Sequence, residues 1–150
     1  MPQTPLSPAQ ALPQITAILA QGRPCRLVVT GNSMQPFLRH GRDAVILAPL
    51  RGEIRRGDIL LYLRAPGYPV LHRVHRALED GTLLMCGDAQ RVLEPIRPEQ
   101  VLARATHIDR GGTLLDCGSP AQRRKAALWQ ALYPARRYIL AALRRCGRLK

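Results

Sequence analysis

Residues 57–75 read GDILLYLRAPGYPVLHRVH, and this stretch decides the fold class. A short apolar run ends at Arg64, Ala65-Pro66-Gly67 breaks it, and a second run resumes at Pro69. Short apolar segments divided by turn residues predict strands, here at about 58–64 and 69–77. The pattern repeats outward on both sides. Further strands are expected at about 26–30, 43–48, 82–86, 101–109 and 113–117, separated by Gly41-Arg42-Asp43, Gly57-Asp58, Glu79-Asp80-Gly81 and Arg110-Gly111-Gly112. Many short strands with tight turns predict an all-β, barrel-like body. Ser7-Pro8 followed by Leu12, Ile15, Ile18 and Leu19 predicts a capped amphipathic helix over about 8–21. After Gly118-Ser119-Pro120 the helical period returns through Leu128, Leu132, Ile139 and Leu143, with Pro134 placed to kink or split the helix. The chain thus divides into a body, 1–120, and a helical tail, 121–150.

The chain has 150 residues, one domain's worth, with 46% hydrophobic and 22% charged side chains. Six aromatics leave the core to Leu, Val, Ile and Ala. The net charge of +13 is uneven: residues 1–120 hold 14 basic and all 10 acidic side chains, whereas 121–150 hold nine basic side chains and no acid. No run reaches the roughly 18–20 apolar residues of a membrane span. The first 22 residues are uncharged but interrupted by Pro2, Pro5, Pro8 and Pro13, unlike a secretory signal with its basic start and solid apolar stretch. Cys25, Cys86, Cys117 and Cys146 form no C-x-x-C pair and read as reduced thiols of a cytosolic protein. No metal or other cofactor is expected.

Thr30-Gly31-Asn32-Ser33-Met34-Gln35-Pro36 follows the apolar Leu27-Val28-Val29. A serine on a sharp turn after a strand is a candidate nucleophile, and it needs a base to remove its proton. Alternation along 69–75 places His72 on the face of Val70 and Val74, and His75 on the face of Leu71 and Arg73. His72, facing inward, is the better base, because burial holds the ring and lowers its pKa from the ordinary 6–7. Facing opposite ways, the two histidines make no metal pair. His40 and His107 have no neighbouring chemistry in the sequence. A carboxylate orienting the imidazole would complete the arrangement. Asp88, at the end of an apolar strand in Cys86-Gly87-Asp88-Ala89, is the first candidate and Glu94 the second. Asp43 and Asp58 each open a strand after a glycine, where an acid caps the turn.

The ordered set G-N-S-M-x-P (31–36), G-R-D (41–43), G-D-I-L (57–60), H-R-V (72–74) and C-G-D (86–88) resembles the signal peptidase and LexA-type serine protease superfamily. With the leading helix and basic trailing helix, the resemblance covers nearly the whole chain and extends to small stand-alone bacterial members. It implies a β-barrel-type peptidase body of that superfamily, with Ser33 as nucleophile, His72 as general base in the manner of the endoplasmic-reticulum and archaeal type, and Asp88 as the acid beside it. It also implies an extended peptide or protein substrate paired with an edge strand, with small side chains before the cut. The chain departs from the pattern at three places. The usual N-terminal anchor is absent; Gly31 stands where some relatives carry a hydroxyl; and Gly87-Asp88-Ala89 replaces the commoner Gly-Asp-Asn. Oxyanion support therefore falls to backbone N–H groups around Gly31, Asn32, Ser33 and Met34, with the Asn32 amide as a candidate helper.

Trp129, Tyr133 and Tyr138 stand among the arginines of the tail, a composition suited to an anionic membrane surface. The competing reading packs the apolar stripe on the body and leaves the arginines as a solvated face. Nucleic acid ranks third, since no helix-turn-helix fits before Ser33. The expectation is a cytoplasmic, peripheral enzyme of the inner membrane face. Its rivals are a non-catalytic peptide-binding module and a DNA-associated regulator.

Overall fold

The computed structural model describes residues 6–150. After helix α1 (Pro8–Ala20) come eight strands: β1 (Cys25–Val28), β2 (Asp43–Pro49), β3 (Ile59–Arg64), β4 (Tyr68–Ala77), β5 (Leu83–Cys86), β6 (Glu94–Ile96), β7 (Val101–Arg110) and β8 (Thr113–Asp116). Helices α2 (Pro120–Ala131) and α3 (Arg136–Arg145) close the chain. The strands form one antiparallel sheet in the order β1-β2-β7-β3-β4-β5-β6, with β8 beside β7. The protein is mainly β with flanking helices, as the turn pattern predicts. β6 is an addition: three residues containing Pro95 carry no strand signal of their own.

Local chemistry explains the element ends. The Ser7 hydroxyl accepts from Gln10 N–H at 3.3 Å while the Gln10 side chain accepts from Ser7 N–H at 2.9 Å, a reciprocal cap with Pro8 opening the helix. The buried face of α1 is Ala11, Ile15 and Leu19, one row of i, i+4 positions, with Ile18 packed beside it. Gly67, at φ +147°, donates its N–H to Arg64 O at 2.7 Å and closes the β3–β4 turn. That closure sets the hairpin register, Leu60 opposite His72 and Tyr62 opposite Val70.

β3 is buried on both faces. Ile59 and Leu61 enter a core with α1, β1, β2 and β7, whereas Leu60 and Tyr62 enter a second core with Val74, Leu83, Met85 and Ile96. A strand central to two cores reads as a continuous apolar run, which is what residues 59–63 show.

The helical tail is docked on the body. Pro134 splits it as expected, with a short 3₁₀ turn, Tyr133–Ala135, between α2 and α3. Trp129, Leu140 and Leu149 make a third core with Phe37 and Ala89 of the body. Arg136 is 2% exposed, stacks at 5.1 Å from the Trp129 ring centroid and donates to Gln90 O at 3.0 Å. The apolar stripe therefore packs on the protein itself. Among the described residues, no helix is long and apolar enough to cross a membrane.

Candidate active site

The turn after β1 carries Ser33. Gly31 adopts φ +83°, a left-handed conformation that favours glycine, and donates its N–H to His40 Nδ1 at 2.8 Å. His40, which has no visible role in the sequence, thus fixes the start of this turn. Met34 and Leu38 anchor it in the first core at 2% and 0% exposure, leaving Ser33 half-buried at the surface. Asn32 Oδ1 accepts from Gln35 Nε2 at 2.9 Å, so half of the Asn32 amide is engaged within the turn. Among the described residues, the Ser33 and Met34 N–H groups have no hydrogen-bond partner. Both are open to an acceptor from outside the turn.

His72 lies on the Val70 and Val74 face of β4, as alternation predicts, and is 5% exposed. Burial, reinforced by the Arg64 cation, lowers its pKa to about 4 against the opposing pull of Glu94 and Asp88. The ring is neutral at pH 7. Ser33 and His72 line one cleft of about 240 Å³, with Val70 and Leu71 of β4 and Leu27 and Val28 of β1. Residues 69–72 of β4 pair only with β3, and β1 pairs only with β2. The cleft therefore lies between two strand segments that each keep an unpaired side.

His75 belongs elsewhere. It sits at a bulge between Val74 and Arg76 and stacks on Tyr133 at 4.7 Å between ring centroids. His107 bonds the Thr106 hydroxyl at 3.1 Å and lines a second cavity, also about 240 Å³, that contains neither Ser33 nor His72. That cavity is edged by the Asp58–Arg123 ion pair and also lined by Arg73, Arg104, Asp116 and Cys117.

Asp88 does not meet the imidazole. Both carboxylate oxygens accept from Arg73, Oδ1 from Nε and Oδ2 from Nη2, each at 2.8 Å. A buried guanidinium requires a planar carboxylate partner more than a neutral ring does, and Arg73 and His72 point to opposite faces of β4. The acid placed beside His72 by the resemblance is thus a structural partner of the next residue. Arg73 also lies over the Phe37 ring at 5.4 Å and donates to Gly57 O at 3.0 Å, while Trp129 Nε1–H donates to Asp88 O at 3.0 Å. This cluster holds the serine turn, β4 and the tail together. Gly87 completes it by close approach: a Cβ there would lie 2.6 Å from Ser33 O, and Ala89 N–H donates to that same oxygen at 2.8 Å. Asp43 and Asp58 cap turns as expected, each accepting a backbone N–H at 2.9 Å from Arg39 and Arg55 respectively.

The group bonded to His72 is Tyr62, whose hydroxyl lies 3.2 Å from Nδ1. Tyr62 is fully buried, and burial, followed by the nearby Glu94 carboxylate, raises its pKa. Glu94, the second carboxylate candidate, is held by Arg64 Nε at 3.0 Å to each oxygen, and this bonding lowers its pKa. Single-strand alternation does not expose Tyr62. The hairpin register does, because Leu60 opposite His72 puts Tyr62 on the same face one step along.

Cys25, Cys86, Cys117 and Cys146 are all free, and burial pushes the Cys117 thiol up to about 11 and raises Cys25 and Cys86. Those three are poor nucleophiles at neutral pH. Among the described residues, no three His, Cys, Asp or Glu side chains are grouped to hold a metal ion. No protein-family model matches this chain, and no curated protein matches it significantly in sequence.

Proposed function

We propose that this protein is a serine endopeptidase of the signal-peptidase and LexA type, cutting an extended segment of a peptide or protein. The observation that carries the reading is the shared cleft: a serine on a turn with free backbone donors and a buried neutral histidine open on one space between unpaired strand edges. Ser33 Oγ attacks the scissile carbonyl carbon as its proton passes to His72 Nε2. The developing oxyanion is held by backbone N–H groups at Ser33 and Met34. The imidazolium returns the proton to the leaving amine, and water hydrolyses the acyl-enzyme by the same base. The substrate backbone would hydrogen-bond along an open strand edge, as extended peptides do on exposed sheets.

A serine-reactive phosphonate probe tests this directly. Wild type and His75→Ala should label at Ser33; Ser33→Ala and His72→Ala should not, with folding intact. Folded wild type that stays unlabelled between pH 5 and 8 favours the non-catalytic peptide-binding module. The same reading places the enzyme at an anionic, inner-leaflet surface. Its support is the outer face of α2 and α3, where Leu128 and Tyr138 are each 62% exposed among exposed Arg124, Arg137, Arg144 and Arg145. Each such cation near an anionic leaflet contributes about 1 kcal/mol. Binding to phosphatidylserine vesicles should therefore fall steeply with salt. No binding at low salt would leave this face merely solvated.

A further inference from the structure

We infer that the second cavity, beside the start of α2, is a binding site for a small carboxylate with a short apolar body. The inference goes beyond the peptidase reading and does not depend on it, since this cavity shares no lining residue with the Ser33 cleft.

The walls carry more cation than anion. Asp58, 5% exposed, is the one carboxylate paired, among the described residues, with both Arg104 and Arg123. Arg123 donates from Nη2 to Asp58 Oδ1 at 2.7 Å, whereas Arg104 Nε lies 3.3 Å from Oδ2, is buried and makes no hydrogen bond. Oδ2 is already taken by the Arg55 N–H at 2.9 Å. Two guanidiniums and a turn thus share one carboxylate. Lys125 is a third lining cation, exposed and without an ion pair among the described residues. Asp116, the other lining carboxylate, caps the Gly118 N–H through Oδ1 at 2.7 Å. Arg73 adds nothing to the excess, because Asp88 takes its charge. Three cations against two carboxylates leave a single positive charge unmatched. The start of α2 has no acid in its first turn, so the helix dipole adds potential of the same sign at Gln122 and Arg123. A monoanion balances these walls; a phosphate dianion overshoots them.

The remaining lining is apolar, from Phe37, Ile59, Ala105, Ile108 and Ala126. The cavity, about 240 Å³, is smaller than the roughly 300 Å³ at which ordinary ligand pockets begin. At roughly 30 Å³ per water-sized group it takes about eight non-hydrogen atoms, the size of hexanoate. Both Nη groups of Arg104 are committed to the Arg51 and Glu53 carbonyls, so Arg104 supplies charge and not donors. The donors left to meet a carboxylate are the Lys125 ammonium and the Gln122 side-chain amide.

A ¹H–¹⁵N NMR titration of the full chain at pH 7 and low salt, with hexanoate as the probe, tests the site. Saturable shifts should appear at the Thr106, Gly118 and Arg123 amides. Hexanamide, which lacks the charge, and acetate, which lacks the apolar body, should each bind about tenfold or more weakly. Lys125→Gln, at an exposed position, should weaken hexanoate about fivefold or more, and added salt should weaken it in wild type. Hexanamide binding as tightly as hexanoate overturns the inference, as does unchanged hexanoate binding in folded Lys125→Gln. So do an absence of saturation, shifts confined to Val28, Val70 and His72, and tighter binding of inorganic phosphate than of hexanoate. The ligand comparisons need no variant, so they decide the matter even if Lys125→Gln fails to fold.

Discussion

Acid titration of Ser33 labelling tests His72 as the proposed base. His72 has its pKa lowered from 6.5 to about 4, first by burial and then by Arg64. Only about one molecule in a thousand then carries a protonated His72 at pH 7, against roughly one in four for an unperturbed ring. The labelling rate at Ser33 should accordingly be flat from pH 8 down to about 5 and fall to half near pH 4. An ordinary exposed histidine would place that half-point between 6 and 7, so the two cases are cleanly separated. A half-point near 6.5 would show that the reacting base is not the buried ring, and one above pH 8 would point to an amine.

The same shift has a stability consequence with a definite sign. The unfolded chain binds a proton at His72 below about pH 6.5, whereas the folded chain resists until about pH 4. Between these values the unfolded state holds more protons, so stability falls as pH drops through that window and is level on either side. At about 1.4 kcal/mol per factor of ten in proton affinity, the whole window is worth roughly 3 kcal/mol. Urea unfolding at pH 7 and pH 4.5 should show wild type losing roughly 2 kcal/mol more than His72→Gln, which cannot titrate. Equal losses in the two proteins would refute a buried, neutral His72.

Asp88→Asn should unfold the protein more readily, by about 3–5 kcal/mol in chemical denaturation, because it strands the buried Arg73 charge. Destabilisation well under that range would mean that Arg73 finds another partner. Gly87→Ala should push Ser33 out of position, since its Cβ would meet Ser33 O at 2.6 Å; phosphonate labelling should slow while far-UV circular dichroism is retained, and normal labelling would show a turn that yields freely. Trp129→Ala should cost about 3–5 kcal/mol in thermal or urea unfolding, the range for truncating a buried aromatic. An unaffected midpoint would mean that the tail is an appendage after all.

Strand-and-turn punctuation made most of the fold legible. The ends of β2, β3, β4 and β7 fall within a residue or so of expectation because each is bounded by a glycine, a proline or a charge reversal. β6 was illegible because its pairing, Leu83 opposite Ile96 and Met85 opposite Glu94, comes from tertiary contact and not from local preference. That Ser33 lies on a turn and His72 on an inward strand face was legible through turn chemistry and alternation; that both line one cleft is a matter of tertiary structure. The partner of His72 was not legible, for a specific reason. Alternation was informative within β4, but the relation to Tyr62 lives in the register across the hairpin. Asp88 misled because a side chain at the end of a strand has no periodicity to aim it. Its direction is set by Arg73, a buried cation only 15 residues away whose demand for two acceptor oxygens outweighs that of an imidazole.

The alternation of β4 also explains how one buried histidine stays neutral among so many arginines. His72 and Arg73 are adjacent, so the pleat sends one ring into the Tyr62 face and one guanidinium into the Phe37 and Trp129 face. On the second face the Arg73 charge is closed off by Asp88, with the Trp129 indole capping the Asp88 carbonyl. On the first face the cation acting on His72 is Arg64, closed off in turn by Glu94. Each guanidinium thus has its own carboxylate, and no carboxylate is left to bond the imidazole directly. Burial then outweighs the remaining charges, which is why the His72 pKa falls where a conventional histidine–carboxylate contact would raise it. Under the proposed reading such a site would have a base that is neutral at every physiological pH, and it would give up direct carboxylate stabilisation of the imidazolium.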